Sequence, residues 1–184
     1  MNDTITGHDG QIHKLRRVWY WHLTSATGSF LLHNARLGHG VCTSISAVRR
    51  AGLEHAATEY GALLNVEKEN AWERVRQVVD PNLPTRQHAL FLFDDKAAAD
   101  RALQTWFPNQ ERHLIEARVV TTARTHRADS HWLDCQQPQW DENAERYWRG
   151  EMTADPLTEI VVDGAVYFPG WKDPPFGIGA GLLP

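Results

Sequence analysis

The sequence predicts an α+β fold with a split, mostly antiparallel β core and flanking helices, on three observations. Segments typical of strands and of helices are mixed without the steady alternation that a parallel sheet requires. Two apolar segments late in the chain are separated only by Asp163-Gly164, a sequence typical of a hairpin turn. The length of 184 residues suits one buried core. We therefore predict one domain over residues 1–184, with its core at about 18–168 and a Gly/Pro-rich tail at 169–184.

The first half of the chain is predicted to contain one strand followed by helices. Residues 18–23 are mainly β-branched or aromatic, which favours a strand, and residues 29–36 are expected to form a short helix ended by glycine. Apolar residues recur with helical spacing in 44–64 and again in 70–79, where a proline ends the pattern. We expect the helical insertion at 40–79 to cover one side of the core.

The second half of the chain is predicted to combine short strands with two helices. The apolar run 89–93 lies between turn-forming residues and is predicted to be a central strand. Asp94 and Asp95 favour a helix over 96–107, because acidic residues stabilise helix N-termini. The same patterns predict a strand over 113–120, a helix over 141–150, and strands over 157–162 and 165–168.

Composition limits the environment and the partners of the chain. Charged residues make up 23% and the net charge is −4, so no overall basic surface for duplex nucleic acid is expected. No apolar run approaches the roughly 20 residues that span a bilayer, and residues 1–11 are too polar for a Sec signal peptide. Cys42 and Cys135 do not make a disulfide framework. We expect a soluble protein without membrane partners, resident in the cytoplasm or delivered into the cytoplasm of a target cell.

Two predicted strands carry polar residues that a purely structural strand does not need. His22 follows three aromatic residues, and Thr24 stands two positions later. Glu159 precedes three β-branched residues, where an ionised side chain is costly unless it faces a cleft or finds a partner. A histidine satisfied within the core and a strand glutamate paired with solvent or arginine are the alternative interpretations.

These residues and their order resemble the His-Tyr-Glu layout of ADP-ribosyltransferases, the group of diphtheria toxin, the poly(ADP-ribose) polymerases and many bacterial toxins. The resemblance covers roughly residues 18–168: a His-x-Thr strand, an aromatic strand in the middle and a late strand with a lone glutamate. It implies a transferase that uses NAD as substrate, in which Glu159 is catalytic and His22 and Thr24 hold the dinucleotide. The expected fold is ADP-ribosyltransferase-like, with His22, Phe91 and Glu159 converging on one cleft.

Further positions are assigned through the same resemblance. Phe91 stands where the family has a tyrosine that stacks on nicotinamide, and it keeps the ring without the hydroxyl; Phe93 is the other aromatic on that strand. Arg86 is a candidate for the NAD pyrophosphate, since arginine binds phosphate bidentately, and the alternative is a surface arginine. Tyr147 and Trp148 form either a wall of the acceptor side or the buried face of a short helix.

The chemistry of NAD cleavage explains the need for a carboxylate. By analogy with other glycosyl cleavages, the ribose passes through an oxocarbenium-like centre, which a nearby negative charge stabilises. Arginine-modifying members carry Glu or Gln two positions before the catalytic glutamate, and here that position is Leu157. The expected acceptor is a protein group other than arginine, or a nucleic acid, and a bacterial toxin of this kind would have a cognate antitoxin.

Three other interpretations remain open from the sequence. A binding or immunity module could use the eight tryptophans as a recognition surface. An RNA 2′-phosphotransferase would share the core but would use basic residues where this chain has Glu159. A metal-dependent enzyme could use a cluster of possible zinc ligands in a polar loop, formed by His126, Asp129, His131, Asp134 and Cys135.

Overall fold

The computed structural model of the protein describes residues 3–25, 30–44 and 65–176. It confirms the predicted α+β class, because helices accompany a seven-stranded antiparallel sheet and a separate two-stranded sheet. The described residues form two compact units, and each unit is built from stretches that are distant in the sequence. The single domain over residues 1–184 stays a prediction. None of the described helices is long and apolar enough to cross a membrane.

The described part of the chain contains nine strands and four α-helices, together with short 3-10 turns. In chain order they are β1 (Thr4–Thr6), β2 (Ile12–Lys14), β3 (Tyr20–Ser25), α1 (Phe30–Leu37), β4 (Val41–Thr43), α2 (Val66–Val79), a 3-10 turn (Arg86–His88), β5 (Leu90–Phe93), α3 (Lys96–Trp106), β6 (Arg112–Val119), β7 (Arg124–Asp129), 3-10 turns (Ser130–Leu133 and Gln137–Gln139), α4 (Trp140–Trp148), β8 (Thr158–Asp163) and β9 (Ala165–Tyr167).

The first unit comprises the described residues of 1–43, 92–123 and 165–176. Its neighbouring strands run in the order β4-β9-β6-β3-β5, and Trp21 of β3 lies opposite Phe93 of β5. β1 and β2 form the separate two-stranded sheet. The helix α3 begins where the two aspartates predicted it, because the side chain of Asp95 accepts a hydrogen bond from the backbone N–H of Ala98.

The second unit comprises the described residues of 44–91 and 124–164. β7 pairs with β8 in antiparallel register, and β5 precedes β8 in the strand order. The side chain of Asn65 caps α2 by accepting from the backbone N–H of Lys68 at 3.1 Å. α2 and α4 pack against each other. The core between these elements includes the buried residues Trp72, Ala128, Ala144, Tyr147, Trp148 and Val161.

Three secondary-structure predictions are wrong. Asp163-Gly164 does not join a hairpin, because β8 pairs with β7 while β9 pairs with β4 and β6. Gly164 has φ +132°, a positive value of the kind that hairpin turns also use. Here Asp163-Gly164 instead links two strands that pair with different partners. Residues 41–43, inside the predicted helical insertion, form β4, and the predicted polar loop around His126 begins as the strand β7.

The other predicted elements agree with the structure apart from their ends, whereas β1 and β2 were not predicted. The predicted strand at 18–23 is β3, and the predicted helix at 70–79 begins earlier as α2, because Asn65 provides the cap. The predicted helix at 44–64 lies outside the described residues, apart from Ser44. Within the described part of the tail, Phe176 is buried.

Candidate active site

A buried group of charged and aromatic side chains surrounds Arg86 in the second unit. We call it the Arg86 cluster. It consists of Glu69, Arg86, Phe91, Tyr147 and Glu159. The side chains of Arg86 and Glu159 are 1% and 3% exposed, and that of Glu69 is 8% exposed. Charged groups are rarely buried to this degree without partners, so their contacts decide what they can do.

Hydrogen bonds connect the polar members of the Arg86 cluster. Nη1 of Arg86 donates to an oxygen of Glu159, and the same nitrogen donates to the hydroxyl of Tyr147 at 2.6 Å. The Tyr147 hydroxyl donates in turn to Oε1 of Glu159 at 2.6 Å. Nε of Arg86 donates to Oε2 of Glu69 at 3.3 Å. One guanidinium therefore binds two carboxylates from different elements.

Aromatic rings enclose the Arg86 guanidinium. Its central carbon lies 4.9 Å from the ring centroid of Phe91 and 5.2 Å from that of Tyr147. Both distances are within the range of cation–π attraction, which is stronger where water is excluded. Phe91 thus contacts a cation, but the cation in this structure is Arg86.

Local structure explains how these side chains meet. Arg86 begins a 3-10 turn that is capped by the Thr85 side chain. Glu69 lies in the first turn of α2, where a negative charge is stabilised by the helix macrodipole. Tyr147 lies in the last turn of α4, and Glu159 is the second residue of β8, opposite Ala128 of β7. With β5, which carries Phe91, five elements therefore position the cluster.

The described acidic and basic side chains of the cluster are not equal in number. Burial raises the pKa of Tyr147 well above its ordinary value, so the phenol stays neutral. Burial also lowers the pKa of the neighbouring His126, which donates from Nε2 to the backbone carbonyl of Tyr147 at 2.9 Å and is neutral at pH 7. Among the described residues, the carboxylates of Glu69 and Glu159 share the single guanidinium of Arg86. The described cluster therefore has one acidic side chain more than it has basic ones.

The structure brings some of the predicted site residues together. Glu159, Arg86 and Phe91 meet in the Arg86 cluster. The alternative that Arg86 is a surface arginine is wrong, because Arg86 is 2% exposed. Its assignment to the NAD pyrophosphate stays a prediction, although the guanidinium already binds two carboxylates and a phenol. Of the two possibilities for Tyr147 and Trp148, the structure shows the buried face of a helix, since both are fully buried.

The remaining predicted site residues lie in the first unit. His22 is on β3, and its ring centroid is 6.0 Å from that of Phe168. Thr24 is buried on the same strand. Phe93 is also buried, with its ring centroid 5.9 Å from that of Trp106. The role of His22 and Thr24 in holding NAD, and their convergence with Glu159, stay predictions.

Glu69 was not predicted as a site residue, and the contact between Tyr147 and Glu159 was not predicted either. The spacing of α2 contains a signal for Glu69, because it lies three positions before the buried Trp72 and therefore on the same helical face. An acidic residue on an apolar face requires a partner, as Glu159 does on its strand. The identity of that partner is not a local property of the sequence.

The proposed metal cluster has a structural role instead. Asp129 accepts hydrogen bonds from the backbone N–H and hydroxyl of Thr153, and from the backbone N–H of His131 and Leu157. Burial raises the pKa of Asp129, but these hydrogen bonds outweigh burial and lower it overall. Across residues 3–25, 30–44 and 65–176, no three His, Cys, Asp or Glu side chains are grouped to hold a metal ion.

Comparison with known proteins identifies the family of the chain. A family model described as "Protein of unknown function (DUF2441)" matches residues 41–169, and the chain belongs to this family. No curated protein matches the sequence. The matched range includes every member of the Arg86 cluster.

Proposed function

We propose that this protein is an NAD-dependent ADP-ribosyltransferase of the toxin or effector type, with Glu159 as its catalytic carboxylate. The observation that carries the proposal is that, among the described residues of the Arg86 cluster, two buried carboxylates bind one guanidinium. Glu69 and Glu159 together exceed the charge of the one guanidinium that binds them. A buried negative excess is costly in a resting protein and is useful where positive charge develops during a reaction.

The proposed reaction needs such a charge at one step. The bond between C1′ of the ribose and the nicotinamide nitrogen breaks, and its electron pair leaves with nicotinamide, which departs neutral. Positive charge then develops on the ribose, and an acceptor heteroatom bonds to C1′ and loses a proton. Unit charges 4 Å apart interact by about 4 kcal/mol at an effective dielectric constant of about 20, against about 1 kcal/mol in bulk water. A buried carboxylate is correspondingly more effective than an exposed one.

The resemblance to ADP-ribosyltransferases gives a second argument, because it calls for a histidine strand, an aromatic strand and a glutamate strand, and His22, Phe91 and Glu159 lie on the strands β3, β5 and β8. In the proposed enzyme, His22 and Thr24 hold NAD and Phe91 stacks on nicotinamide. The Arg86 guanidinium binds Glu159 and Glu69, and its contact with the NAD pyrophosphate stays a prediction.

The test is incubation of the purified protein with NAD labelled in the adenylate phosphate, alone and with a bacterial lysate. We expect release of nicotinamide and transfer of the label to protein or nucleic acid. Digestion with protease or nuclease shows which of the two carries the label. A matched sample of heat-denatured protein controls for spontaneous attachment of label. The absence of both nicotinamide release and transfer would contradict the proposal.

A non-enzymatic binding module is the second candidate, and the burial of Glu159 favours it. Glu159 is only 2% exposed and its hydrogen bonds are made within the second unit, as expected of an ion pair that stabilises a core. This candidate expects no NAD cleavage and no shift of the melting temperature with NAD. NAD turnover that is lost in Glu159→Gln would contradict it.

A further inference from the structure

We propose that Tyr147 is a positioning residue that, with Arg86, fixes one oxygen of Glu159 and leaves the other for the ribose. This inference rests on the proposed function and assigns different roles to the two oxygens of the Glu159 carboxylate. Oε1 is the held oxygen and Oε2 is the oxygen that faces the developing charge. The two oxygens of an ionised carboxylate are equivalent until their partners distinguish them.

The hydrogen bonds of Glu159 show this asymmetry. Tyr147 donates to Oε1 at 2.6 Å, and Nη1 of Arg86 donates to the same oxygen. Arg86 Nη1 also donates to the Tyr147 hydroxyl at 2.6 Å, so the three polar atoms form a closed triangle. Among the described residues, both donors to the Glu159 carboxylate end on Oε1 and neither ends on Oε2. The carboxylate is thereby fixed in rotation as well as in position.

The position of the Tyr147 hydroxyl is itself fixed by packing. Tyr147 is 0% exposed, and its ring meets the Trp148 ring edge to face at a centroid distance of 4.9 Å. The backbone carbonyl of Tyr147 accepts from the His126 ring at 2.9 Å. A donor locked in this way can hold a catalytic group within the narrow tolerance that electrostatic catalysis requires.

Tyr147 suits this role because it adds no charge. A second arginine or lysine at the same position would cancel the negative excess that the proposed reaction uses. Because burial raises the pKa of Tyr147, its phenol remains a neutral donor at all ordinary pH values. Arg86 therefore supplies the counter-charge, while Tyr147 supplies orientation.

The test is Tyr147→Phe, which removes one hydroxyl and keeps the ring. We expect kcat for NAD cleavage to fall about 10-fold, the effect of one hydrogen bond to a charged group, with KM for NAD little changed. The matched control is Tyr20→Phe, which alters a buried tyrosine of the first unit and should leave kcat unchanged. A purely structural role would instead lower stability and leave the kcat of folded enzyme unchanged.

A spectroscopic measurement tests the inference without measuring turnover. The carboxyl carbon of Glu159, assigned in ¹³C NMR by its loss in Glu159→Gln, should shift in Tyr147→Phe but not in Tyr20→Phe. If Tyr147→Phe does not fold, the NMR signal of the Tyr147 hydroxyl proton tests the hydrogen bond to Glu159 instead. This signal should lie further upfield in Glu159→Gln than in the wild-type protein.

The outcomes separate the inference from the proposed function. If the wild-type protein does not cleave NAD, the proposed function fails, and with it the assignment of Oε2. If the protein cleaves NAD but Tyr147→Phe keeps wild-type kcat and an unshifted Glu159 carboxyl signal, the inference is overturned and the proposed function stands. A selective loss of kcat with a shifted signal supports both.

Discussion

Two buried arginines in the second unit bind glutamates from the same helix, and their surroundings differ in charge. α2 supplies Glu69 to Arg86 and, one turn later, Glu73 to Arg76. We call the second arrangement the Arg76 pair. Arg76 donates to both oxygens of Glu73 at 2.8 and 2.6 Å, and to the backbone carbonyls of Pro81 and Leu83 at 2.8 and 2.7 Å.

The comparison distinguishes an ion pair that is structural from one that is proposed to take part in a reaction. The Arg76 pair joins one cation to one anion, and its remaining donors satisfy backbone carbonyls, so it ties the loop after α2 to the helix. In the Arg86 cluster, the donors of the arginine bind two carboxylates and a phenol. Among the described residues, one arginine thus binds one carboxylate in the Arg76 pair and two carboxylates in the Arg86 cluster.

The largest difference is expected when each arginine is removed. Arg86→Met should lower the free energy of unfolding by about 3–5 kcal/mol, because it leaves two buried carboxylates without a cation. Arg76→Met should cost about 1–3 kcal/mol, because the Glu73 side chain is 25% exposed and water can solvate it. Urea denaturation of both variants measures the difference. Equal losses would show that the excess charge of the Arg86 cluster has no energetic consequence.

An intermediate effect is expected in the pH dependence of the Arg76 pair. Burial raises the pKa of Glu73, but hydrogen bonds from Arg76, Gln77 and Thr85 outweigh burial and lower it from 4.5 to about 2. A carboxylate with a depressed folded-state pKa adds stability above its unfolded pKa and loses it as the pH falls through the folded pKa. Wild-type protein should therefore exceed Glu73→Gln by on the order of 2 kcal/mol at pH 7, and the gap should close between pH 4.5 and 2.

Thermal melts of both proteins across this pH range provide the measurement. A gap that is constant with pH would mean that Glu73 contributes through packing rather than through its charge.

The smallest effect is expected at Thr85, which lies beside Arg86 in sequence but hydrogen-bonds to the Arg76 pair. Its hydroxyl donates to Oε2 of Glu73 at 2.8 Å and accepts from the backbone N–H of Gln87 at 3.3 Å. Thr85→Ala should cost about 1 kcal/mol in denaturation experiments. NAD cleavage should change little, because the Arg86 cluster keeps its charges and only the cap of the turn that begins with Arg86 is lost. A selective loss of activity would place Thr85 in the site.

The sequence predicts the elements of this molecule better than the pairing of those elements. Local composition is sufficient for β3 and α2, but the Asp163-Gly164 signal fails because a positive φ serves a hairpin and a link between strands equally well. β7 was not predicted because Arg124 and Arg127 are exposed and charged, although His126 and Ala128 are buried. Its strand pattern was hidden by the polarity of the segment.

In the candidate site, too, individual residues are easier to predict than the contacts between them. Glu159 stands out from the sequence, since an ionised residue in an apolar strand needs a partner. Arg86 is 73 residues away along the chain, and Glu69 and Tyr147 come from two separate helices. Only the packing of α2, α4 and β8 brings them together, so the excess charge of the cluster cannot be read from any one segment.

The most direct test of the central claim is NAD cleavage by Glu159→Gln and Glu73→Gln, measured side by side with their melting curves. Both variants remove one carboxylate that is bound to a buried arginine, but only Glu159 belongs to the cluster with excess charge. Glu159→Gln should lose on the order of 10²-fold or more in kcat, while Glu73→Gln keeps wild-type activity. Wild-type turnover in a folded Glu159→Gln variant, or equal losses in both, would contradict the account.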